Sequence, residues 1–254
     1  MLATADAAVQ LATRRKRTGN GWNTPFIGKN RNTIGAEAPP ALGAIYPMAF
    51  LVEKDAGVVV KPHFHIADQY QVVIQGGGSL GKHAIGTVAV HYTDAYSAYG
   101  PIIANDHGVS WFTLRNTWDS GALYMPEHRA TLREGRAKMA HREATCGPLP
   151  PLSVGELAAL KTPATEAVIE ETADGLGTWR YTVPAGGSVT GPAPASGGGQ
   201  YWLVSGGSAC VPGGELLSPQ SLVFVGPDEA ATVLTAGPGG ADLICMQFPK
   251  RARD

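Results

Sequence analysis

From residue 48 to residue 248 the chain is cut into short valine-, tyrosine- and leucine-rich runs, each ended within a few residues by glycine or proline. Helix interiors tolerate neither breaker well, whereas short strands joined by tight turns use both. With 33 glycines, 19 prolines and only 16% charged residues in 254, the expected fold class is all-β, a sandwich or barrel with a few short helices. In the first half, strands are expected at residues 48–53, 57–62, 70–75, 79–83, 87–92, 95–99, 109–115 and 122–125. Gly76-Gly77-Gly78 and the stretch from Asn116 to Gly121 read as turns between them. In the second half, strands are expected at residues 179–183, 200–204, 208–211, 221–225, 232–235 and 242–248.

The halves read as divergent copies. Gln69-Tyr70 leading to Val72, Val73 and Gly76 is echoed by Gln200-Tyr201 leading to Leu203, Val204 and Gly206. Tyr99-Gly100-Pro101 is echoed by Val225-Gly226-Pro227. Duplication of one β-barrel explains both echoes. Between the copies, Cys146-Gly147-Pro148 and the prolines at 150 and 151 mark a linker, and Ser153 with Glu156 forms a capping box that opens a helix. The expected domains are residues 1–145 (an N-terminal arm and the first barrel), 146–165 (linker and short helix) and 166–254 (second barrel). Residues 4–17, free of breakers, are expected to be helical, as are residues 126–138. Residues 19–47 are expected to form an irregular arm with one or two short strands, laid on the first barrel or on a second subunit, which makes a homodimer the expected assembly.

Composition narrows the partners. A formal net charge of -1 excludes nucleic acid and anionic membrane as main partners, since both require a basic surface. Three cysteines without a CxxC pair argue against a disulfide framework and for a cytoplasmic location. No stretch is apolar and long enough to cross a bilayer as a helix. A small molecule is the expected partner.

The chemistry concentrates in residues 57–78. In an extended strand alternate side chains share a face, so His63 and His65 project to the same side, and Gln69 keeps their parity. Two imidazoles and the Gln69 carbonyl oxygen make a start for a divalent metal site. Neutral ligands leave the full charge on the metal and disfavour hard ions, so Fe²⁺, Mn²⁺, Ni²⁺, Zn²⁺ or Cu²⁺ are expected. Gln69 either ligates or bonds to a ligand. For a further ligand, His91 lies in an expected strand, and His107 in Asn105-Asp106-His107-Gly108, which also reads as an ordinary turn. His83, His128 and His141 lack partners at ligand spacing and are expected on the surface. Gln71 shares the parity of Gln69. Tyr92, Tyr96, Tyr99 and Arg115 are candidates for orienting a small substrate, an anion among the options, and core packing with a bonded hydroxyl is the better account of any one of the tyrosines. No P-loop, dinucleotide fingerprint or Ser-His-Asp order is present.

Gly57, His63, His65, Gln69 and Gly76 stand at the spacings of the first cupin motif, G-x5-H-x-H-x3-E-x6-G, with glutamine in place of glutamate. Gly100, Pro101, His107 and Asn116 approximate the second motif with altered spacing. The chain therefore resembles the cupin superfamily over residues 45–125, and again as a degenerate copy over residues 175–250. The resemblance implies a bicupin of two jelly rolls in which only the first keeps ligands. The second copy holds no histidine, and Pro192 and Pro194 stand near where its histidines would fall. It also implies a metal held by His63, His65, Gln69 and His107, with His91 competing for the last place. By analogy with the family, the favoured activity is that of an Fe(II) dioxygenase. A non-redox isomerase, lyase or hydrolase, with Tyr99 or His91 moving protons, and a non-enzymatic small-molecule-binding bicupin are the alternatives.

Overall fold

The computed structural model describes residues 1–30, 34, 35, 37–41, 43–136 and 142–251; His141 and residues 137 and 138 of an expected helix lie outside them. The chain divides into two compact units, one of Arg14–Leu149 and one of Met1–Thr13 with Pro150–Asp254. The opening residues are not one helix. They form β1 (Leu2–Ala5) and then α1 (Ala7–Arg14).

The unit Arg14–Leu149 contains β2 (Lys16–Thr18), β3 (Gly21–Ile27), β4 (Ile45–Lys54), β5 (Val59–Val60), β6 (His63–Phe64) and β7 (Gln69–Leu80). It continues with β8 (His83–Ile85), β9 (Val90–Thr93), β10 (Ile102–Thr117), β11 (Leu123–Tyr124), α2 (Arg129–Arg136) and β12 (Glu143–Cys146). Its main sheet runs β12-β9-β7-β10-β4-β3-β2, all antiparallel, with β5 on β10, β8 on β7, and β6 paired with β11. The other unit adds α3 (Val154–Ala159), β13 (Ala164–Ile169), β14 (Gly177–Val183), β15 (Ser188–Thr190), β16 (Gln200–Cys210), β17 (Leu222–Val225) and β18 (Val233–Gln247). Its sheet runs β1-β17-β16-β18-β14-β13, with β15 on β18.

Element by element the two orders coincide: β9, β7, β10, β4 and β3 answer to β17, β16, β18, β14 and β13, and β5 to β15. The first sheet adds β2 and β8, and the edge next to β9 and β17 is closed differently. The first unit closes it with β12, from the segment after the barrel, and the second with β1, from the chain's opening. Asp6 holds that opening in place. Its carboxylate accepts the Ser218 N–H and hydroxyl at 3.1 and 2.9 Å, and Ala7 N–H donates to the Ser221 hydroxyl. The expected linker also begins as structure, because β12 ends at Cys146 and Leu149 N–H donates to Thr87 O. The capping box of α3 is present as the sequence predicts.

Several expected turns are interruptions inside long strands. Gly76-Gly77-Gly78 lies within β7, where the register against β10 slips between Gly78 and Gly76. A Cβ on Gly78 would stand 1.8 Å from the Ile103 carbonyl oxygen, and one on Gly76 2.2 Å from that of Gly108. The glycines allow close backbone approach at a bulge, not a chain reversal. The expected strand at residues 95–99 is instead a turn-rich segment that touches β6 through a single His63–Tyr99 bridge.

Candidate functional site in the first barrel

Strand alternation sets the inner face. β7 turns Gln69, Gln71 and Val73 to one side, and the register places Gln71 opposite His91 on β9 and Thr113 on β10. Trp111 and Arg115 share the face of Thr113. Of these, Gln71, Trp111, Thr113 and Arg115, together with His63 and His65, line a cavity of about 610 Å³ that also meets Lys54, Lys61, Tyr99, Asp119 and Tyr124.

His63 and His65 are buried, 5.3 Å apart between ring centres and perpendicular. Nδ1 of His63 donates to Lys61 O at 2.8 Å, which leaves its Nε2 without a proton. Nδ1 of His65 donates to Asp119 Oδ1 at 2.9 Å. Asp119 also accepts N–H groups of Ile66 and Gly121, at 3.1 and 2.8 Å, and has Arg115 Nη1 at 3.3 Å. Burial pushes the Asp119 carboxyl up, but Arg115 and the donors around it outweigh burial and hold it well below the usual carboxylate range. Burial, reinforced by the Arg115 charge, lowers His65 to about 4, and burial also lowers His63, so both imidazoles are neutral at pH 7.

Arg115 is the centre of the cluster. Nη2 lies 2.6 Å from Gln69 Oε1, and Nε donates to the same oxygen at 3.0 Å. Nη2 is also 3.0 Å from Nδ1 and 3.2 Å from Nε2 of His65. With the Nδ1 proton committed to Asp119, the guanidinium can donate only to Nε2 of that ring. The Gln69 amide in turn donates to the Tyr99 hydroxyl at 2.7 Å.

The other expected site residues separate. His91 is buried, donates from Nδ1 to the Thr145 hydroxyl at 2.9 Å, and is lowered to about 3, chiefly by burial. With Gln71 and Trp111 it lines a niche of about 10 Å³, the size of one water. His91 Nε2, Gln71 Oε1 and Trp111 Nε1 have no protein hydrogen-bond partner, and one water can accept from the indole and donate to the other two. His107 is exposed where β10 bulges between Ala104 and Val109, its N–H bonded to Asn105 Oδ1, and does not line the cavity. The segment read as an ordinary turn is an irregularity within that strand. Tyr92 lies on the opposite face of β9 from His91, donating to Asp94 Oδ1 at 2.6 Å and packed on Tyr70. Tyr96, at φ 55°, packs against Phe64 and has Gly135 of α2 over its ring. Neither tyrosine lines the cavity, because alternation and a turn point them away. Asp119, Lys54 and Lys61 are the site residues that sequence reasoning missed. Asp119 sits in a segment legible only as a turn and Lys54 shows no spacing relative to the histidines, whereas Lys61 shares the parity of His63 and His65 and could have been found from it.

The expected divalent metal can be tested against this donor set. The two histidines alone suit it, since each is anchored through Nδ1 in the way ligating imidazoles are. The rest does not. A buried permanent cation claims Nε2 of His65 and both donor directions to Gln69 Oε1, and Asp119 is spent on Arg115 and His65. Among the described residues no three His, Cys, Asp or Glu side chains could hold a metal ion. As arranged, the residues do not fit a resident divalent metal.

The two antiparallel barrels have a bicupin fold, two jelly rolls in one chain. Solved structures of that architecture align along the whole chain. The nickel(II) complex of bacterial pirin YhhW from Escherichia coli aligns with 99% of this chain and 100% of its own at a TM-score of 0.58 and 10% identity. Bacillus subtilis oxalate decarboxylase, described with Mn(II) centres, covers 99% of this chain with 78% of its own at 0.58 and 10%. Procruciferin, an 11S globulin from Brassica napus, covers 100% with 85% of its own at 0.58 and 12%. No family model and no curated protein matches the sequence.

Proposed function

We propose that the first barrel is a binding and proton-transfer site for a small anionic organic molecule. One observation carries this reading. Among the described residues lining the cavity, Lys54, Lys61 and Arg115 are cations and Asp119 is the sole carboxylate, which leaves an excess of two positive charges among them on a concave, partly apolar wall. Such a wall focuses potential on an anion of the size the cavity accepts. His63, a neutral imidazole on the same wall, is the group placed to exchange a proton with the bound molecule. The test is calorimetric titration with a panel of two- to six-carbon carboxylates and their uncharged amides. Lys54→Gln is expected to weaken carboxylate binding roughly 10-fold, the scale of one partly buried charge contact. Equal affinity for acids and amides would remove the reading.

A metal-dependent reading, with a cupin-type Fe(II) dioxygenase as its specific form, has its own support. His63 and His65 are held as a chelating pair, and two of the similar structures are described with nickel and manganese. It requires Arg115 to leave its present partners. Stoichiometric iron in the purified protein together with oxygen uptake on addition of a carboxylate would favour it.

A further inference from the structure

Two independent observations meet at Arg115. The first is position: its guanidinium fills the space between Gln69 and His65, where a metal held by those two residues would have to sit. The placement is built in, because the side chain is 3% exposed and its counter-ion Asp119 is itself fixed by His65, Ile66 and Gly121. The second comes from the duplicated barrel. Register aligns Gln69 with Gln200, because Tyr70 faces Leu114 on β10 as Tyr201 faces Met246 on β18. The position of Arg115 is then that of Gln247, which pairs with Gln200 in register and joins it side chain to side chain at 3.1 Å. In both copies the residue facing the opening glutamine clasps that glutamine; Arg115 offers no metal donor, and Gln247 spends its Oε1 on the Gln200 amide.

We propose that Arg115 is a fixed cationic centre standing where a metal would sit, so that the first barrel holds no divalent metal at His63 and His65. Guanidinium is charged throughout the working pH range and more weakly hydrated than an ammonium, which suits it to a buried ionic role. It repels a divalent ion at close range in a medium of low dielectric. The inference rests on the geometry of Arg115 and not on the anionic-ligand reading, so either can fail alone.

The test is titration of the full-length protein with Ni²⁺, with elemental analysis of protein expressed in metal-supplemented medium. Wild type is expected to carry well under one equivalent. Arg115→His, which removes the cation and adds a third imidazole, is expected to bind one equivalent at least about 100-fold more tightly than wild type, by relief of charge repulsion and gain of a ligand. Arg115→Lys should stay like wild type, and His63→Ala in the Arg115→His background should abolish the gain. A wild type that binds one equivalent, lost in His63→Ala, overturns the proposal. So does a folded Arg115→His protein with no gain in affinity. Should Arg115→His fail to fold, the wild-type titration and its His63→Ala control decide the matter.

Discussion

A carboxylate without solvent has to be answered by its neighbours, and Asp119 is answered by two backbone N–H groups, one imidazole N–H and one guanidinium. Replacing it with asparagine removes the charge that balances buried Arg115 and turns an amide N–H toward groups that are themselves donors. Asp119→Asn is expected to lose about 3–5 kcal/mol of stability, the range for breaking a buried ion pair from one side. The exposed pair of Arg17 and Asp55, 2.7 Å apart, gives the contrast: Asp55→Asn should cost less than about 1 kcal/mol. Urea denaturation of both variants checks the pair, and comparable losses would mean that Asp119 is screened like a surface charge. At this scale the sequence showed only part of the site. The shared face of His63, His65 and Gln69 follows from parity, and Arg115 was legible as a candidate that lies on the cavity wall. The tie between Asp119 and His65 spans 54 residues and two elements, so no local pattern announces it. His107 misleads for the opposite reason: it stands near the spacing of a motif, but the bulge of β10 carries it into solvent.

At the scale of elements, glycine's meaning was the hardest thing to read. A run of three glycines between two apolar stretches reads as a turn, yet in β7 it lets one strand continue past a bulge with its partner's carbonyls almost touching the backbone. The second barrel has the same feature, since β16 runs unbroken through Gly206 and Gly207 with register slips against β18. Length was therefore underestimated in both copies for one physical reason. Gly78→Ala is expected to destabilise by about 2–4 kcal/mol, because φ is 150° and the new Cβ would meet backbone that cannot rotate away. Gly57→Ala, at φ 71° with nothing within 4 Å, should cost only about 1 kcal/mol, the left-handed penalty alone. Thermal unfolding of the pair separates a steric clash from a conformational penalty; equal losses would mean that the bulge relaxes.

For the whole molecule, duplication was readable from the two Gln-Tyr echoes, and the common sheet order explains why they survive: each begins the central strand of its barrel. What the echoes do not show is which inward-facing residues differ between the copies, because that requires the register. Gln71 corresponds to Trp202, His91 to Val223 and Thr113 to Cys245. At each of these three positions the second barrel carries a bulkier or less polar group, whereas Gln69 and Arg115 answer to the polar Gln200 and Gln247. Trp202 is fully buried, stacked at 5.0 Å on Tyr181, and its indole N–H is satisfied by Gln200 Oε1 at 2.7 Å. Gln200 and Gln247 spend their remaining polar atoms on each other and on backbone carbonyls of Pro192 and Gly175. Around Trp202 the described interior of this barrel is filled and these polar atoms are satisfied. Trp202→Ala should remove about 3–5 kcal/mol from the stability of the unit that contains it, as large-to-small core changes do. The same change should leave carboxylate affinity in the first barrel within about 2-fold of wild type, because ΔΔG values for distant sites without shared partners add nearly independently. Calorimetric unfolding and ligand titration of that variant measure the two effects separately. A ligand affinity that falls in step with stability would place Trp202 in the working part of the molecule and end the division of labour between the barrels.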